Sequence, residues 1–126
     1  MLQEIQSNRS FEEILNIFEQ KAKEKGFGTL KTYNFNEILE GKGFPIKEKI
    51  VVFEICHPAY AQKVLEKRPD IASLLPCRIS IRESQEGTLI STVKPSEMVE
   101  QLGMNEIEEV AKEVDSIINE IIESLK

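Results

Sequence analysis

Long apolar runs are missing from this chain of 126 residues, and so is any excess of positive charge. The longest apolar stretches, such as residues 50–53, fall far short of the roughly 20 residues that span a bilayer, so no membrane partner is expected. The opening decapeptide MLQEIQSNRS has neither a basic start nor an apolar core, so no secretory signal is expected. A cytoplasmic location follows, in which the two cysteines stay reduced. Lys and Arg number 16 against 22 Asp and Glu, for a net charge of −6. Without a basic stripe a phosphate backbone has nothing to hold it, so nucleic acid is excluded as the expected partner.

Chemistry-bearing residues are also scarce. Tryptophan is absent, and there is one histidine. Phosphate-cradling glycine motifs are missing, because Gly26-Phe27-Gly28 has two glycines and follows a helix pattern where such motifs follow a strand. Cys56, His57 and Cys77 are soft-ligand types, yet three candidates at no metal-motif spacing leave a tetrahedral ion one ligand short. No metal is expected, and no cofactor can be named.

The residues present describe one α+β domain over residues 1–126, a length that supports a single core. A short first strand lies near Leu2–Ile5. Ser10 followed by Glu13 is a capping-box pattern, and Phe11, Ile14, Leu15, Phe18 and Ala22 share one helical face, predicting a helix over residues 11–25 stopped by Gly26. Residues 27–33 read as a strand, weakened by Gly28 unless another backbone passes close by. Residues 36–45 read as one helical turn and a loop. Residues 50–55 read as a central strand, and Pro58 opens a helix over residues 59–67, with His57 a candidate cap. Residues 70–76 form a return segment. Cys77, Ile79 and Ile81 alternate with polar residues in a half-buried strand, and Glu86-Gly87 turns into a partner strand over residues 88–93. A short helix starts at Pro95. Asn105 reads as the cap of a last helix about 30 Å long, whose wide apolar stripe suits packing across a sheet better than a coiled coil.

The notable cluster is Glu54-Ile55-Cys56-His57-Pro58, with Leu75-Pro76-Cys77-Arg78 some twenty residues later. Cys56 stands where a strand hands over to a helix N-terminus, a setting that favours thiolate. Equally, a cysteine there can be a small hydrophobe. The two cysteines meet only if their strands run antiparallel. Arg78 and Arg82 share one strand face and are able to hold a small anion or to pair with Glu83 or Glu86. Enrichment in Glu, Lys and Ile points to a hot-growing source.

Four segments, Ser10-Phe11-Glu12-Glu13, Lys25-Gly26-Phe27-Gly28, Glu54-Ile55-Cys56-His57-Pro58-Ala59 and Leu74-Leu75-Pro76-Cys77-Arg78, come in an order that resembles the domain of unknown function 302 family. The resemblance implies an antiparallel sheet gripping a long C-terminal helix, in a TATA-binding-protein-like layer architecture, and association as a homodimer. It carries over no catalytic residue, and His57 stands where the family pattern more often has Asn. Three functions follow as expectations. The first is a binding module holding a small apolar or anionic ligand in the groove between sheet and helix, with Cys56, His57, Cys77 and Arg78 at one end. The second is a thiol- or metal-dependent redox protein or enzyme using Cys56. The third is a dimeric interaction protein whose cysteines only pack.

Overall fold

The computed structural model describes residues 2–126, Met1 lying outside them. Five strands, β1 (Leu2–Ser7), β2 (Gly28–Asn34), β3 (Ile50–Cys56), β4 (Cys77–Ser84) and β5 (Gly87–Val93), form one antiparallel sheet in the order β1-β5-β4-β3-β2. This is the expected α+β class, an antiparallel sheet with the C-terminal helix packed on it. The β-branched residues of β3 and β4 put Val51, Phe53, Ile55, Ile79 and Ile81 on one face, all buried.

Two helices cover that face. Helix α1 (Phe11–Glu24) starts at Ser10, whose Oγ accepts the Glu13 amide at 3.1 Å, and buries Phe11, Ile14, Phe18 and Ala22. Helix α5 (Glu108–Ser124) is 17 residues long and buries Val114, Ile118, Ile121 and Ile122 in the same core. The Asn105 cap is not formed. Residues Asn105–Ile107 make a 3-10 turn, and α5 begins after Ile107 with no side-chain cap. Glu108 and Glu109 in the first turn complement the helix dipole, as the acid-rich start anticipates.

The first turns of α5 leave the main core for a second one. Ile107 and Ala111 join Ile71, from the 3-10 segment Pro69–Leu74, and Val99, from α4 (Pro95–Gln101). Helix α3 (Pro58–Lys67) stands over this second core, and a short α2 (Phe35–Gly41) flanks β3. Among the described residues, no helix is long and apolar enough to cross a membrane.

Polar pairs occupy the opposite sheet face. Arg78 Nη2 lies 3.0 Å from a Glu54 carboxylate oxygen, and Arg82 pairs with Glu4. These acids replace the expected Glu83 and Glu86, because the sheet places side chains by register across strands and not by closeness in sequence. No backbone crowds Gly28, where an added Cβ would meet nothing within 4 Å.

Candidate functional site

The register of β3 and β4 brings the two cysteine segments together. Ile55 faces Cys77 across the antiparallel ladder, so Cys56, one residue on, reaches the same end of the sheet. There the chain leaves β3 into α3 and arrives at β4 from the 3-10 segment. Between these segments, α4 and the first turns of α5 lies a cavity of about 510 Å³. Ile55 and Phe27 lie in its floor, α3 contributes Tyr60, Ala61, Val64 and Leu65, and Leu30, Arg78 and Val93 are exposed at its rim. Its walls are overwhelmingly carbon, the character of pockets that enclose small molecules of ordinary size.

Cys56, His57, Cys77 and Arg78 all line this one cavity. His57 is the N-cap residue of α3 but makes no side-chain cap bond. Its ring turns back over the end of α1 instead. Gly26, at φ +86°, leaves room for it, since a Cβ there would stand 2.7 Å from Nε2 and 2.9 Å from Cδ2. Phe27 and Tyr60 hold the ring edge-on, with centroids at 5.4 and 4.7 Å. Nδ1 is buried without a hydrogen-bond partner among the described residues.

Arg78 has its charge answered on the sheet face by Glu54, a buried carboxylate that also accepts a 2.9 Å hydrogen bond from the Tyr33 hydroxyl. That bond raises the Tyr33 pKa, because losing the phenolic proton would put two negative charges together. Among the described residues, no group of three or more His, Cys, Asp or Glu side chains is arranged to hold a metal ion.

The family model of Domain of unknown function DUF302 matches residues 3–125 of this sequence. The chain belongs to the DUF302 family. The crystal structure of an uncharacterized conserved DUF302 protein from Bacillus stearothermophilus superposes on it with a TM-score of 0.93 at 22% identity, covering 99% of this chain and 98% of that one, which shows a shared fold. An uncharacterized protein of Aquifex aeolicus (strain VF5) is 37% identical over 43 residues, 34% of this chain. That match spans only 30% of the relative's length.

Two contributors to the DUF302 cavity escape a reading by motif. Gly26 passes for a helix stop, which it is, while its missing side chain also makes the seat for His57. Helix α3 carries an apolar stripe of Tyr60, Ala61, Val64 and Leu65 at helical spacing, yet none of its residues is fully buried. A stripe that ordinarily marks a core-facing helix here faces a cavity.

Cys77 is the chemically constrained thiol. Desolvation by burial, then the nearby Cys56 and Asp115, pushes it up to about 11 from 9.0. It stays protonated at neutral pH and is no nucleophile there. The sign of its effect on stability follows. Above pH 9 the unfolded chain has given up this proton while the folded one keeps it, so stability falls as pH rises from about 9 to about 11. Relative to Cys77→Ala, the wild-type protein is expected to lose about 2 kcal/mol over that interval and nothing below it. Urea unfolding of both proteins at pH 8, 9, 10 and 11 measures this. A difference that stays constant with pH shows that the thiol is not desolvated.

Proposed function

We propose that this DUF302 chain is a small cytoplasmic binding module, acting as one domain, that holds a predominantly apolar small molecule in the cavity beside Cys56, His57, Cys77 and Arg78. The carrying observation is the cavity itself: about 510 Å³ walled by apolar side chains from segments far apart in sequence. Apolar surface of this kind is costly to leave against water and releases that cost when a ligand covers it. The wider expectation of an apolar or anionic ligand narrows to apolar. Arg78 is already neutralised by Glu54, and a net charge of −6 repels anions at long range.

N-Phenyl-1-naphthylamine, a neutral apolar dye, tests the proposal by its gain in fluorescence. It is expected to bind with a Kd on the order of 100 µM or tighter, from the binding energy that each heavy atom of a ligand this size contributes. In Ala61→Trp, which puts an indole into the cavity from α3, affinity should drop at least about tenfold while the circular dichroism spectrum stays unchanged. Equal binding by both proteins, or none by either, refutes the proposal.

Two thiols on one cavity wall favour a second reading, in which Cys56 reacts with the bound compound and the protonated Cys77 is its neighbour. Native mass spectrometry of untreated protein separates the two. A non-covalent ligand belongs to the first reading and an adduct on Cys56 to the second. The same spectrum tests association as a homodimer.

A further inference from the structure

Resting on the proposed binding cavity, we infer that its ligand is an elongated neutral molecule lying across the strand ends, and that Leu30 is the specificity-determining residue against which its outer end packs. Leu30 owes its place to a β-bulge. Thr29 stands opposite Ile55 and Lys31 opposite Glu54, so the register of β2 on β3 slips by one residue and Leu30 is the extra one. A bulge breaks the regular alternation of side chains and re-aims the residue it carries. The re-aimed leucine lines the cavity and is 63% exposed. Phe44 and Leu102 are comparably exposed, but neither lines the cavity, and scattered apolar residues of that kind need no explanation. A leucine carried by a bulge to the mouth of an apolar cavity is different. An apolar ligand that reaches it takes its surface out of water, which is favourable.

The length of the ligand comes from the strand order. Leu30 on β2 and Val93 on β5 are the large apolar residues exposed at the rim, and β3 and β4 lie between their strands. Three strand spacings place them about 14 Å apart. Along that line Ile55 and Cys56 stand at the end of β3 and Cys77 and Arg78 at the start of β4, all four lining the same cavity. A compact ligand seated in the interior leaves Leu30 in water, whereas one extended across the strand ends covers it. Arg78 sets the charge of that outer end. Its guanidinium is already answered by Glu54 at 3.0 Å, which favours a neutral group beside it.

Two probes that differ only in length test the inference at pH 7.5, where both are uncharged: N-phenyl-1-naphthylamine, followed by fluorescence, and 1-naphthylamine, which lacks the phenyl ring, followed by calorimetry. In the wild-type protein the longer probe should bind at least about tenfold more tightly. Leu30→Asp should weaken the longer probe about tenfold and the shorter one less than about twofold. Because the side chain is mostly exposed, the variant should keep the wild-type circular dichroism spectrum and melting temperature. Leu30→Ala, which adds no charge beside the bulge, should weaken the longer probe about fivefold, and Leu30→Met should keep its affinity within about twofold. Leu102→Asp, 52% exposed and away from the cavity, controls for the added charge and should change neither affinity. Unchanged binding of the longer probe in Leu30→Asp and Leu30→Ala, an equal loss for both probes, or the same loss in Leu102→Asp overturns the inference. If the shorter probe binds the wild-type protein as tightly as the longer one, the elongated ligand falls while the apolar cavity stands. If neither binds, both fall.

Discussion

Phe18→Ala is expected to destabilise the protein by about 3–5 kcal/mol, lowering the melting temperature by on the order of 10–20 °C. Phe18 has no exposed surface, and its ring stacks on Phe53 of β3 with centroids 4.1 Å apart and planes 12° from parallel. It is thus the main aromatic bridge between α1 and the sheet. Truncation removes the transfer free energy of the ring and leaves a hole walled by Ile14, Ala22 and the sheet, which backbone on both sides keeps from collapsing. Phe44→Ala provides the control. That ring is 75% exposed, so its loss should change stability by less than about 0.5 kcal/mol. Thermal and urea unfolding of the two variants measure the contrast. A cost below about 1 kcal/mol for Phe18→Ala shows that α1 contributes little to holding the sheet.

How far the sequence reveals this molecule depends on the range of the interaction. The Ser10–Glu13 cap, Pro58 at a helix start and the alternating isoleucines of β4 are local patterns, and each element forms where its pattern lies. The antiparallel pairing of β3 with β4, on which the meeting of Cys56 and Cys77 depends, is permitted by the length of the return segment but not dictated by it. Side-chain partners are less legible still. Arg82 reaches across β5 to Glu4 on β1, 78 residues away, past acids much closer in sequence. His57 next to Pro58 looks like a cap, but the space above Gly26, thirty-one residues earlier, draws the ring elsewhere, and no one-dimensional signal records that space. The Asn105 cap fails for a local reason: the chain tightens into a 3-10 turn there, moving the true helix start beyond reach of the Asn side chain. The cavity is the least legible feature, because it is what α3, the 3-10 segment, α4 and α5 leave unfilled between them.

Gly87→Ala is expected to cost about 3–5 kcal/mol, although only a methyl group is added. Two penalties combine. Gly87 has φ +135°, a conformation that strains any residue with a Cβ by about 1–3 kcal/mol. A Cβ at that position would also stand 2.2 Å from the carbonyl oxygen of Ser7, so backbone must move. That backbone is not free to do so. The Ser7 hydroxyl, fully buried, donates to the Leu125 carbonyl oxygen at 2.6 Å, and Ser7 lies opposite Thr88 in the ladder. Thr88 in turn donates its hydroxyl hydrogen to the Arg9 carbonyl oxygen at 2.8 Å. The methyl group therefore presses on the joint at which β1, the β4–β5 hairpin and the end of α5 are tied together. Relief requires either strain spread through that joint or release of β1 from the sheet edge. Hydrogen exchange distinguishes them, since release of β1 exposes the amides of its ladder with β5 while those between β3 and β4 stay protected. Gly43→Ala separates the two penalties. Gly43 also has a positive φ, +86°, but an added Cβ there meets nothing within 4 Å, so this variant should lose only about 1 kcal/mol. Equal losses in the two variants would mean that backbone conformation alone sets the cost and that the joint at Ser7 yields freely.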